Sequence, residues 1–285
     1  MENIQYTAYE QVIECIRNSV RDYYGRHANE KLFELYLANG EHLTYSIPES
    51  SIAHLLGVNV NYIISTSCLT FQSRSAIEVL NRLCENENTH RIYSKISNGY
   101  LDFKQMFSDY TGSKLIAFEN NIQPNVYQME FVCKINRDIC HSNGVDPINA
   151  EYILCSKDNN DNYLVLGISW SKNGYIATTN QMFSSFDELK SGLGAQLMNQ
   201  ELTFMSKILI RSKFDDYRIN AILKPNEKND KISALEKYRD AFNGKICITY
   251  DYSMLAKQTQ QSYDNINTIL DFMENKKNNN KRYDR

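Results

Sequence analysis

Five strand-like runs crowd into residues 114–179: "KLIAFENN", "YQMEFVCKI", "EYILCSK", "NYLVLGISW" and "GYIATT". Polar turns separate them, and the last two, "KDNNDN" and "SKNG", carry the Asn and Gly residues typical of hairpin turns. Consecutive hairpins make an antiparallel meander. What comes before is mostly helical in pattern. Tyr9, Val12, Ile13, Ile16 and Val20 recur at helical spacing, so residues 7–24 read as an amphipathic helix. "EKLFELYLANG" reads as a second helix closed by Asn39-Gly40, and "EHLTYSI" as a short strand ending at Pro48. "SAIEVLNRLC" and "LDFKQMFSDYTG" read as further helices, the latter stopped by Gly112. Helices followed by a meander predict an α+β fold in which helices pack on one face of a small antiparallel β-sheet.

A second unit follows. Ser185 and Glu188 fit a capping box before a helix through Leu189, Leu193 and Leu197. "KILIRSK", "YRINAILK" and "KICITY" read as strands, "SALEKYRDAFNG" and "YDNINTILDFM" as helices, and the polar end "ENKKNNNKRYDR" as disordered. The expected organisation is N-terminal helices over residues 1–40, an α+β domain over 41–185, a C-terminal α+β extension over 186–275 and a disordered tail over 276–285.

Composition narrows the chemistry. A net charge of −3 gives no global attraction to nucleic acid, so any polyanion site must be a local cluster. The apolar runs are too short to span a bilayer, and the start of the chain has no signal-peptide pattern. Seven scattered cysteines without a CxxC pair read as reduced thiols of a cytoplasmic protein. Cys133, Cys140, His141 and Cys155 lack the paired spacing of a structural zinc site, and no glycine-rich phosphate loop occurs, so neither metal nor cofactor is expected. HExxH and GxSxG are absent, and "DELK", at a predicted helix start, is a poor match to a metal-nuclease carboxylate set.

One stretch carries more. In "SIPESSIAHLLGVN", Ile52, Leu55 and Leu56 are spaced like a buried helix face, and His54 falls among them. A strand ending near a helix that carries His-Leu-Leu-Gly resembles the opening of a phage-associated Barnase–EndoU–colicin–RelE-like nuclease family. The order "DYTGSK", "LIAFENN", "FVCKINR", "EYILCS" and "NYLVLGISW…GYIATTNQMF" is similar too, over about residues 41–185. The resemblance implies a metal-independent ribonuclease of phage or anti-phage origin, cleaving RNA by attack of the neighbouring 2′-hydroxyl. That chemistry needs a base, an acid and groups for the phosphate charge. His54, Lys134, Arg137 and Thr178 are the catalytic candidates, with His141, Ser169, Tyr175 and Thr179 to bind substrate. Each has a bland reading beside it: a core hydrogen bond for His54, a solvated strand edge for Lys134 and Arg137, and plain strand material for the hydroxyls. The expected partners are RNA and an inhibitor or partner protein, with no membrane. Two alternatives stay open: an inactive binding module of the same fold, and a metal-dependent restriction-type DNA endonuclease.

Overall fold

The computed structural model describes residues 2–108, 111–212 and 217–249; the tail 276–285 and the expected helix "YDNINTILDFM" lie outside these. Among the described residues the strands are β1 (Lys31–Leu37), β2 (His42–Ser46), β3 (Met129–Lys134), β4 (Tyr152–Lys157), β5 (Tyr163–Ser171), β6 (Gly174–Phe183), β7 (Glu201–Thr203), β8 (Met205–Ser212), β9 (Tyr217–Ile222) and β10 (Lys245–Ile246). The helices are α1 (Glu2–Gly25), α2 (Glu49–Leu55), α3 (Val60–Ser65), α4 (Ala76–Leu83), α5 (Asn86–Ser97), α6 (Phe103–Met106), α7 (Thr111–Asn121), α8 (Arg137–Ser142), α9 (Phe186–Leu197) and α10 (Pro225–Phe242).

The expected small antiparallel sheet with helices on one face is overturned. All ten of these strands join one mixed sheet, in the order β10-β7-β3-β4-β5-β6-β2-β1-β8-β9. Strands β3 to β6 do run antiparallel, but β2 pairs with β6 in parallel through Tyr45↔Tyr175 and Ser46↔Ile176, and β10 pairs with β7 in parallel. Helices cover both faces of the central strands. Register puts Phe131, Cys155, Val165 and Gln181 on one face, and Val132, Leu154, Leu166 and Asn180 on the other. The first face meets α9 and α10: Phe131 packs against Tyr238, and Gly192 lies against the Phe183 ring. The second meets α2 and α7. Burial on both sides is why Tyr163–Ile168 are buried without a break rather than in alternation.

The sheet returns on itself one strand in from each end. Only Phe204 separates β7 from β8, yet β7 pairs with β3 and β8 pairs with β1. At the crossing, the Ala38 amide donates to the Phe204 carbonyl at 2.9 Å. The hydrogen-bonded path therefore returns on itself through β3, β4, β5, β6, β2, β1 and the β7–β8 strand, like a barrel. Phe33, Leu35, Tyr45, Leu154 and Leu166 point to the same, inner face and are buried.

Three local expectations fail for physical reasons. "EKLFELYLANG" is strand β1, not a helix: Phe33, Leu35 and Leu37 alternate toward the core, and Asn39-Gly40 is the hairpin turn, with Gly40 at φ +88°. "KLIAFENN" is helix α7, not a strand: Leu115, Phe118 and Ile122 repeat at helical spacing and are buried. Gly112 stops nothing, since the helix before it ends at Met106 and Gly112 lies in the first turn of α7.

Gly167 sets a close approach inside the sheet. A Cβ there would stand 2.8 Å from Thr179 Cβ and 2.9 Å from Ala150 Cβ. Gly167→Ala is expected to lower stability by about 1–3 kcal/mol, as overpacking does. Urea unfolding at equilibrium checks it.

Candidate functional site

The His-Leu-Leu-Gly motif is a helix end. Gly57 adopts φ +79°, its amide donates to the His54 carbonyl at 3.0 Å, and the Val58 amide donates to the Ala53 carbonyl at 2.8 Å. This pair of bonds is the Schellman arrangement that closes a helix with a left-handed residue. It faces Ile52, Ala53, Leu55 and Leu56 into the core and leaves His54 exposed on the last turn of α2.

Past the last β2 pair, β6 has no strand partner on that side among the described residues, and α2 and α7 pack against it. A bulge interrupts β6 there: Gly167 pairs with Thr179 and Ile168 with Ala177, so Thr178 is the extra residue. His54 interacts with the Thr178 backbone. Two residues further along, Asn180 is buried, at 1% exposure. Its carboxamide donates to the Leu55 carbonyl at 2.9 Å and the Lys114 carbonyl at 2.7 Å, and accepts from Asn121 Nδ2 at 2.9 Å. One side chain thus fixes α2 and α7 on β6, and with them His54 and Lys114.

Desolvation, then the Lys114 ammonium, hold the His54 imidazole below the ordinary histidine pKa, while the Thr178 backbone works the other way. Burial lowers Lys114 as well. The pair is a neutral-leaning imidazole beside a cation, which can accept a proton while the cation meets negative charge.

The other predicted residues fall elsewhere. Lys134, at the end of β3, bonds Glu41 at 2.7 Å and lies 5.5 Å from the Tyr152 ring centroid. Hydrogen bonds to Glu41 and Tyr152 hold its ammonium well above the usual lysine pKa. From Lys134 the register runs through Tyr152 and Ile168 to Ala177, three strand spacings of about 4.8 Å each. Arg137 and His141 are exposed on α8. Among the described residues, no hydrogen bond or ion pair joins His54 to Lys134, Arg137 or His141. Ser169 and Thr178 lie 3.2 Å apart, and both hydroxyls donate to the Asn149 carbonyl, at 3.0 and 2.9 Å. They clip the loop before β4 onto the sheet. Thr179 packs over Gly167. Tyr175 stacks edge-on against Tyr152 and Trp170.

Sequence reasoning missed Lys114 and Asn180. Lys114 was hidden by reading α7 as a strand. Asn180 had a signal, a carboxamide among the apolar runs of "IATTNQMF". Among the described residues, no cluster of three His, Cys, Asp or Glu side chains could hold a metal ion, and no helix is long and apolar enough to cross a membrane. Glu188 of "DELK" is a cap: its carboxylate accepts from the Ser184 amide at 2.8 Å, and Ser185 accepts from the Glu188 amide.

Asn180→Ala strips partners from two carbonyls and an amide, and is expected to cost about 2–4 kcal/mol. Gly57→Ala forces a left-handed alanine and is expected to cost about 1 kcal/mol. Calorimetric melting of both variants checks the order. Comparison of the chain with protein-family models, curated proteins and solved structures found no match.

Proposed function

We propose that the chain is a metal-independent ribonuclease, of the phage-associated kind its His-Leu-Leu-Gly motif resembles. The observation that carries this reading is the exposed His54 imidazole, held toward its neutral form beside Lys114. In the proposed reaction His54 takes the proton of a 2′-hydroxyl, and that oxygen attacks the adjacent phosphorus. The bond to the 5′-oxygen breaks, the leaving oxygen takes a proton from water, and a 2′,3′-cyclic phosphate and a 5′-hydroxyl result. Lys114 offsets the charge gathering on the phosphate.

One observation favours a second reading, a binding module of the same fold. Ser169 and Thr178 are tied to Asn149, and Lys134 is neutralised by Glu41, so the expected acid and phosphate groups do not gather around His54.

The test incubates single-stranded RNA with the full chain in EDTA. The ribonuclease reading expects cyclic-phosphate ends, and a loss of about a hundredfold in rate for His54→Ala at unchanged fold, the size of a lost general base. The rate should stay level above neutral pH and fall as His54 becomes protonated, because its pKa is lowered. RNA bound but uncut, with or without magnesium, supports the binding module. Cleavage of DNA that requires magnesium overturns both.

A further inference from the structure

On the inner face of the barrel, Tyr45 of β2 is 1% exposed, and its hydroxyl forms no hydrogen bond among the described residues. The ring is stacked on Phe33 with centroids 4.9 Å apart, so the hydroxyl has little freedom to swing out to solvent. Burial holds its pKa well above the usual tyrosine value, so it stays protonated and can both donate and accept. Tyr45 lines a small pocket with Asn121, Leu154, Ser156 and Leu166. β2 and β4 stand three strands apart in the sheet order, so Tyr45 reaches a pocket that also touches Leu154 by the hydroxyl end of its ring. Two more polar residues share this pocket. Ser156 lies on the same sheet face as Leu154, two residues along β4, and its hydroxyl has no bonded partner among the described residues. Asn121 spends its amide nitrogen on Asn180 at 2.9 Å, which leaves Oδ1 without a partner among them.

We propose that this pocket is the binding site of a single ordered water molecule, which joins the Tyr45 hydroxyl to Ser156 and Asn121. Size and chemistry agree. The pocket offers about 10 Å³ to the centre of a water molecule, which is room for one and too little for a larger ligand. None of the described residues that line it is charged, so it does not suit an ion. Three polar side chains match the two to four partners that a buried water takes. A buried hydroxyl left without any partner is costly, and the water removes that cost. Bound there, it ties α7 to β2 and β4 across the barrel interior. It is a second polar attachment for the helix that carries Lys114, beside the Asn180 carboxamide.

Oxygen-17 relaxation dispersion counts the waters held for longer than the protein takes to tumble, and it is blind to exchanging hydroxyl protons. The experiment compares the full chain with Tyr45→Phe, which removes one oxygen and keeps the ring. The expected result is one fewer long-lived water in Tyr45→Phe and a melting temperature lower by about 2–4 °C, the size of one lost polar link in a chain of this length. A wild-type profile with no long-lived water overturns the proposal, whether or not the variant folds. Equal water counts in the two proteins overturn it as well. A higher melting temperature in Tyr45→Phe does the same, because that is what removing a dry, unpaired hydroxyl gives.

Discussion

A single buried carboxamide, Asn180, holds the candidate site together. It sits where β6 has run past its parallel partner β2, with its polar atoms inside the core. A polar group at that depth costs stability unless it is paired. Asn180 is paired three times, and its partners belong to α2 and α7. Those two helices also bury apolar side chains against the core, among them Ile52, Leu55, Leu115 and Phe118. The carboxamide adds directional bonds to that packing. His54 and Lys114 come from segments about sixty residues apart and become neighbours where those helices pack together on β6.

The fold was partly legible. The β3–β6 block was readable because hairpin turns and apolar runs are local signals, and the Ser185 cap was readable for the same reason. The size of the sheet was not. Its closure depends on one strand changing partners at Phe204, and nothing local to "ELTFMSK" marks that change. β1 was misread because Phe33, Leu35 and Leu37 sit in a run whose Glu, Leu and Lys content favours helix, while pairing with β2 and β8 decides the outcome. In α7 the error went the other way, a short apolar run whose period was helical.

The site was legible in one motif. Leu55, Leu56 and Gly57 form a helix end that buries two leucines and turns on a left-handed glycine, and that geometry leaves His54 outside the core. Exposure rules out a core position for His54. The remaining candidates were chosen by residue type and expected strand position. Type cannot reveal that Ser169 and Thr178 bond a loop carbonyl, or that Lys134 faces Glu41, because these partners lie 20 or more residues away in sequence.

The account stands on a histidine kept neutral by its surroundings. NMR titration of the five histidines, with His54 assigned through His54→Gln, measures this without any substrate. The predicted result is a His54 pKa below the ordinary value of about 6.5, rising toward it in Lys114→Gln. A His54 that titrates at or above the ordinary value, and does not respond to loss of the Lys114 charge, would contradict it.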